Sequence, residues 1–499
     1  MSAELERIYK NIDANQRKHV ARLQECVRQK SISHTGEGIK ETAELFVRYY
    51  KELGCQKARV VEVGKTKWGL EGDPIAYGKY DAGADKTLII YMMYDTMPVV
   101  HGELELWKVP PWEGAIVEEP PFPKVIMARG ASNSKGPEMA FLNACESIKA
   151  VAGELPVNLI FVAEGDEERM SIGLHKFVND YKDELKEADA VYGFGYQTKS
   201  GALSQMSGSE GCVYFELETS GEYWGRGPTK YSVHGINKRW LDSPAWRHIK
   251  MLSTLVSEDG NKVLVKGWYD NIEPPTKADL KIIDEMAKKG AQYFGTVEEA
   301  KESLGAKVFI NDVTDPKELF KMLSFESTLN LDGIWGGRIL DTGAGAVLPY
   351  KVTSKHNCRY MPNQNGDDLV KKVRKHLDEH GYKDVKLRVV GDCDWCRANL
   401  NHDLAKAVFK MCEKFGVEIA SPMPPVSVGG WPPMGPYWPA YLFGKDPLKL
   451  PIAGGTLGHG DRAHAINEYY VIEGAGKVYG LAGAEKGVAT ILYNYAKKT

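Results

Sequence analysis

The sequence lacks the long apolar runs of a membrane protein. Among 499 residues, of which 43% are hydrophobic, no run approaches the roughly 18 consecutive apolar residues that span a bilayer. Residues 1–18 are polar and charged, without the apolar core of a signal peptide. We therefore expect neither a membrane partner nor a secretory route, and the length suits two domains that each bury a core.

The chain also lacks a large excess of charge of one sign, and few of its cysteines are clustered. The net charge is −3, and the 64 basic and 67 acidic residues are mixed along the chain, which gives no basic surface for nucleic acid. The eight cysteines are scattered, apart from Cys393 and Cys396, and such thiols are typical of a reduced compartment. We expect a cytoplasmic protein that acts on a small molecule and does not bind nucleic acid.

Hydrophobic periodicity changes along the chain. Up to about residue 210, short apolar runs favour buried parallel strands, and they are separated by helical stretches such as residues 138–150. The runs that carry this interpretation are residues 87–91, 157–162 and 188–194. From about Gly211, apolar and polar residues alternate as in an antiparallel sheet with one covered face.

The change in pattern predicts two domains. Residues 1–211 and 385–499 form an α/β domain, in which residues 439–443 are predicted to be a strand. Residues 212–384 form an inserted α+β domain that closes after a helix predicted at residues 367–380.

Three motifs in the first α/β stretch resemble those of the dinuclear zinc metallopeptidase and aminoacylase superfamily, which includes carnosine dipeptidase, acetylornithine deacetylase and succinyl-diaminopimelate desuccinylase. The motifs are residues 89–98 (IIYMMYDTMP), 128–137 (ARGASNSKGP) and 164–168 (EGDEE). Further matches follow in the family's order, among them residues 231–235, 327–330, 359–363 and 464–468. The resemblance implies a zinc-exopeptidase-like catalytic domain, an inserted lid and dimerisation domain, and a homodimer.

Five positions of this chain match the metal ligands of that family. They hold Met93, Asn133, Glu168, Gly195 and His464. A thioether is a soft ligand, an amide is neutral, and glycine has no side chain, so three of the five do not suit zinc. We expect no cofactor, or at most one weakly bound divalent metal, zinc, held by Glu168 and His464.

Two predicted catalytic residues are retained. The resemblance places Glu167 as the general base that activates water. It places His234 on the lid, where it reaches into the active site of the partner subunit and polarises the scissile carbonyl. Both residues match the requirements of acyl transfer.

Four further residues are predicted to bind a substrate that carries a carboxylate. Arg359 matches the family arginine that clamps this carboxylate, a role suited to a planar guanidinium. Asn330 and Asn133 are expected to contact the substrate, and Trp431 enlarges a loop that carries serine in the family.

Two other groups are candidate ligands or nucleophiles. His459 and Asp461 could replace lost metal ligands, and Cys393 and Cys396 could supply a thiolate, although a lone C-x-x-C is a weak signal.

Three functions remain open from the sequence. The first is an amide hydrolase for dipeptides or N-acyl amino acids that works without metal or with one ion. The second is a metal-independent proton-transfer enzyme, such as a racemase, isomerase or lyase, on an amino-acid-like substrate. The third is a non-catalytic dimeric binding protein.

Overall fold

The computed structural model describes residues 3–100, 102–203, 208–277, 279–281, 283–284, 287–288, 296–338, 345–397, 399–419 and 438–497. Its helices are α1 (Ala3–Ala14), α2 (Gln16–Arg28), α3 (Ile39–Leu53), α4 (Gly136–Ala152), α5 (Ile172–Asp180), α6 (Lys182–Leu185), α7 (Gly221–Trp224), α8 (Pro244–Leu252), α9 (Val297–Ser303), α10 (Pro316–Phe325), α11 (Gly366–Glu379), α12 (Asp403–Phe415), α13 (Ala440–Gly444) and α14 (Leu481–Ala496). No helix in these ranges is both long and apolar enough to cross a bilayer.

The strands are β1 (Lys57–Val61), β2 (Gly64–Lys65), β3 (Glu71–Gly72), β4 (Ile75–Tyr80), β5 (Thr87–Met93), β6 (Ala115–Glu119), β7 (Phe122–Met127), β8 (Asn158–Glu164), β9 (Ala190–Gly193), β10 (Gly208–Ser209), β11 (Gly211–Ser220), β12 (Val233–His234), β13 (Thr328–Gly336), β14 (Val347–Leu348), β15 (Lys351–Tyr360), β16 (Lys386–Cys393), β17 (Cys396–Arg397), β18 (Ile452–Gly454), β19 (Gly460–Asp461) and β20 (Tyr469–Glu473).

The catalytic domain is built on a mixed sheet in the order β1-β4-β8-β5-β9-β18. Strands β8, β5, β9 and β18 are parallel, β4 is antiparallel to β8, and the edge strand β1 is antiparallel to β4. Along β5, Leu88 and Ile90 join the core under α3, α4, α12 and α14, whereas Ile89 and Tyr91 join the core under α5 and α13. Both faces of the sheet are therefore covered, as the continuous apolar runs predicted.

The inserted domain contains an antiparallel sheet in the order β13-β15-β11-β16. One face packs on α8 and α11 through a core that includes Val213, Phe215 and Leu217 at every second position of β11. The fold class, a zinc-exopeptidase-like α/β domain with an inserted α+β domain, is confirmed.

Two details of the sequence interpretation differ from the structure. Strand β16 pairs with β11, so the inserted sheet extends to Cys393 rather than ending at residue 384. Residues 439–443 were predicted to be a strand, and the structure has helix α13 there. That apolar run is too short for its periodicity to distinguish the two.

Candidate active site

The predicted base and its neighbour lie at the carboxyl edge of the parallel strands. Strand β5 ends at Met93 and the adjacent β8 ends at Glu164, so the segments that follow meet at one edge. Asp95 joins these segments: its Oδ1 accepts the backbone N–H of Glu167 at 3.2 Å, and its Oδ2 accepts that of Glu168 at 3.0 Å. One carboxylate thus holds the turn that presents both glutamates.

The loop that carries Asn133 is a π-helical turn, Ala131–Lys135, directly before α4, in which Asn133 itself has non-helical backbone angles (φ −119°, ψ 85°). It begins at Gly130, whose φ is 82° and whose added Cβ would lie 2.6 Å from Cγ2 of Thr96. Only glycine combines that backbone conformation with that contact. The local sequence therefore fixes the path of the loop towards Glu168.

Glu468 organises this loop from beneath. Its carboxylate accepts the backbone N–H groups of Gly130, Ser132 and Asn133 at 2.9 to 3.0 Å. It also accepts Nη1 of Arg129 at 2.9 Å, and both side chains are about 1% exposed. Glu468 belongs to the C-terminal motif, residues 464–468, and its position four residues after His464 is the only sign of this role in the sequence.

Asn133, Glu168 and His464 are brought together. Nδ2 of Asn133 donates to Oε1 of Glu168 at 3.1 Å, and Nε2 of His464 lies 2.7 Å from the same oxygen. Nε2 of His464 is also 2.9 Å from Nδ2 of Asn133, so the three side chains are in mutual contact. The hydrogen bond with Glu168 raises the pKa of His464.

The other two predicted ligand positions give no donor suited to zinc. Met93 is buried at the end of β5, and its backbone N–H donates to Oε1 of Glu138 at 2.7 Å. Gly195 follows β9, and its carbonyl accepts the N–H of Thr456. The donor set at the five positions is therefore one carboxylate, one imidazole, one amide whose NH₂ faces the carboxylate, and one buried thioether.

These residues do not fit a pair of zinc ions. Two cations a few Å apart need a bridging anion, and the neutral amide of Asn133 supplies none. Within the described ranges, no group of three or more His, Cys, Asp or Glu side chains is placed to hold a metal ion. His459 does not join Glu168, because its Nδ1 donates to the carbonyl of Gln197 at 2.7 Å.

The carboxyl groups here have strongly shifted acidities. Burial raises the pKa of Glu167 well above its ordinary value, and the neighbouring Glu168 and Asp95 raise it further. Burial likewise raises the pKa of Asp95, with Glu168 adding to the shift. A carboxyl whose pKa is raised in this way is a stronger base than an exposed one, which suits a group that takes a proton from water.

Two predicted substrate-binding residues lie on one face of the lid sheet. Arg359 on β15 opposes Thr328 on β13, and Asn330 opposes Asn357 two positions away. Nη1 of Arg359 donates to Oε1 of Glu210 at 2.9 Å. The amide of Asn330 donates to Oδ1 of Asp332 at 2.7 Å. Both predicted residues therefore have acidic partners in this chain, which sequence analysis did not foresee.

The remaining predicted residues lie elsewhere. His234 is exposed at the end of β12, and its Nδ1 accepts the N–H of Ile236 at 3.1 Å. Its observed partner is thus its own turn rather than the carboxylate cluster. Trp431 lies outside the described residues.

The fold and the site together define an exopeptidase-like protein: a parallel-stranded catalytic domain with a carboxylate cluster at its strand ends and an inserted lid. A model of peptidase family M20/M25/M40 matches residues 89–479, and the chain belongs to this family. The predicted family resemblance is confirmed, and with it a hydrolase that acts on C–N bonds.

Curated relatives and a solved structure resemble the chain over most of its length. A Cys-Gly metallodipeptidase of Candida albicans is 27% identical over 486 residues, which cover 93% of each chain. A human Beta-Ala-His dipeptidase is 26% identical over 76% of this chain and 72% of its own. The structure of an M20 family metallo-carboxypeptidase from Sulfolobus solfataricus matches with a TM-score of 0.79 and 28% identity, over 96% of this chain and 99% of its own.

Proposed function

We propose that this chain hydrolyses the amide bond of a dipeptide or an N-acyl amino acid that carries a free carboxylate, and that it does so without a pair of zinc ions. The observation that carries the proposal is the hydrogen bond from Nδ2 of Asn133 to Glu168. An amide that donates at this position does not bridge two cations. At most one ion, held by Glu168 and His464, is compatible with the donors present.

In the proposed reaction, Glu167 takes a proton from the attacking water and delivers it to the leaving nitrogen. Its burial supports this role, because burial raises the pKa of the carboxyl, and a carboxylate with a raised pKa takes a proton from water more readily than an exposed one. Arg359 binds the substrate carboxylate through its guanidinium. Loss of Lewis-acid help costs several kcal/mol of transition-state stabilisation, so we expect slow turnover.

We further propose that the enzyme is a homodimer in which His234 serves the site of the partner subunit. Strand β13 is an edge strand of the lid sheet, and edge strands commonly pair with another chain. Large apolar side chains are exposed on the same domain, including Tyr231, Trp240, Trp246 and Trp335. Such surfaces typically mark protein interfaces.

We keep the cytoplasm as the proposed location. All eight cysteines are free thiols, and most of them are buried. Free thiols throughout a chain suit a reducing compartment.

The proposal is tested by incubating chelator-treated protein with dipeptides and N-acyl amino acids in D₂O and following products by mass spectrometry. We expect cleavage to persist after chelation and to be absent in Glu167→Gln. The matched control is Glu62→Gln, at an exposed position, which should cleave like the parent. Deuterium at the α-carbon without cleavage would reject hydrolysis and support the proton-transfer function, which the buried base also favours. Binding without either change would support a non-catalytic binding protein.

A further inference from the structure

Arg359 is already engaged by a carboxylate of its own chain. Its Nη1 lies 2.9 Å from Oε1 of Glu210, and the two side chains are 31% and 17% exposed. A hydrogen-bonded ion pair sheltered to this degree is less screened than one on the open surface. The guanidinium that the proposed function assigns to the substrate is therefore partly occupied.

The position of Glu210 allows it to act as an alternative partner. It lies between the two-residue strand β10 and the first residue of β11, where the chain enters the lid sheet. Cys212, two residues later, opposes Arg359 directly in the β11–β15 ladder. The backbone register of the lid thus brings the Glu210 carboxylate to the guanidinium without help from the substrate.

A second carboxylate at this site must compete with the first. Bidentate recognition of a carboxylate uses two parallel N–H groups of the guanidinium, and Glu210 takes one of the terminal nitrogens. Two carboxylates that share one guanidinium also repel each other. Burial raises the pKa of Glu210 while Arg359 opposes that rise, so the charged form of Glu210 depends on the contact that a substrate would take over.

We propose that Glu210 is an internal ligand of Arg359 that the carboxylate of the substrate displaces, and that Glu210 thereby sets how strongly the lid prefers carboxylate-bearing substrates. This inference rests on the proposed function, since it takes Arg359 as the group that binds the substrate carboxylate. It makes Glu210 a specificity-determining residue rather than a catalytic one.

The test measures binding, not turnover, in a Glu167→Gln background. Isothermal titration compares N-acetylalanine with its C-terminal amide, which differ only in the charged end. Glu210→Gln is expected to tighten binding of N-acetylalanine about tenfold, because a charge-assisted contact no longer competes, and to leave the amide unchanged. Glu216→Gln is the matched control, because Glu216 on β11 also pairs with an arginine, Arg388, at 2.7 Å, away from Arg359.

The outcomes separate the two proposals. The Glu167→Gln protein is the parent in these measurements. If this parent binds N-acetylalanine more tightly than the amide and Glu210→Gln does not tighten that binding further, Glu210 only holds Arg359 in place and the inference is overturned. If the parent binds both probes equally, the carboxylate clamp of the proposed function itself is overturned. Arg359→Lys is expected to lose the preference with either residue at position 210, because an ammonium group does not reproduce the planar fork.

Discussion

The side-chain amide of Asn133 donates a hydrogen bond to the carboxylate of Glu168 over 3.1 Å. In the family that the motifs resemble, a bridging aspartate occupies the position of Asn133. The amide is a neutral donor, so a hydrogen bond joins it to Glu168 where the resemblance implies a bridging carboxylate.

Asn133→Asp should restore zinc binding. The new carboxylate would stand beside Glu168 and His464, which gives three donors, and the lost amide donor would leave two carboxylates facing each other. We expect zinc at a hundred times its dissociation constant to stabilise this variant by about 2.7 kcal/mol, measured as a rise in Tm. Asn401→Asp, at an exposed position, is the control. If zinc does not raise the Tm of Asn133→Asp, the interpretation of the site is contradicted.

Glu167→Gln should remove turnover while leaving substrate affinity nearly unchanged. A positioned general base contributes about 10² to 10⁴ in rate, and glutamine cannot accept the proton. Steady-state kinetics measure the loss of turnover, and titration of substrate onto the variant measures its affinity. A rate equal to that of the parent would remove Glu167 from the mechanism.

Glu468→Gln should loosen the loop that carries Asn133. The carboxylate accepts three backbone N–H groups and a buried arginine, whereas glutamine offers one acceptor oxygen and places an NH₂ against the remaining donors. We expect a loss of about 2–4 kcal/mol in the free energy of unfolding, measured by denaturant titration. The control is Glu473→Gln, because Glu473 is an exposed residue of β20 that pairs with Lys124 of β7. Equal free energies of unfolding for the two variants would refute the role of Glu468.

Mixing two inactive variants tests the shared site. In a heterodimer of Glu167→Gln and His234→Ala subunits, one of the two sites combines Glu167 with His234 of the other chain. Because half of the randomly formed dimers are mixed, about a quarter of the parent activity should return. Native mass spectrometry shows whether the subunits have exchanged. If mixed dimers form and activity stays at background, a site completed by the partner subunit is excluded.

Asp392 should make stability depend on pH. Burial raises the pKa of its carboxyl from 3.8 to about 6, although the hydroxyl of Tyr360 donates to it at 2.8 Å. Between these two pH values the folded state binds more protons than the unfolded state, so stability falls as pH rises through this window.

Asp392→Asn removes the ionisation and keeps an acceptor for Tyr360. We expect the variant to be more stable than the parent at pH 7.5, by about 1–3 kcal/mol, and to lose that advantage near pH 4. The exposed Asp446→Asn is the control for surface charge. An advantage that is the same at both pH values would show that ionisation of Asp392 is not its cause.

The sequence predicts which residues meet in the candidate site. Motifs at strand ends located Glu167, Glu168 and Asn133, because parallel strands bring their carboxyl ends to one edge. His464 is more than 300 residues away from Asn133 in the chain, and only the resemblance to a family connected them.

The sequence does not predict which individual side chains pair with each other. The pairing of Arg359 with Glu210 depends on the register of β11 against β15, which a hydrophobic pattern does not specify to one residue. The pairing of β16 with β11 was missed for a related reason, because the mixed polar pattern of β16 does not indicate its partner strand. Helix α13 was missed because a run of four apolar residues, 440–443, suits a strand equally well.

Metal content tests the central claim most directly. Purified protein, loaded with excess zinc and then dialysed, would be assayed by mass spectrometry for metal per chain and for amide cleavage before and after a chelator. We expect at most one zinc ion per chain, removed readily by the chelator, with cleavage that survives its removal. Two tightly held zinc ions per chain, with activity lost on chelation, would contradict the account.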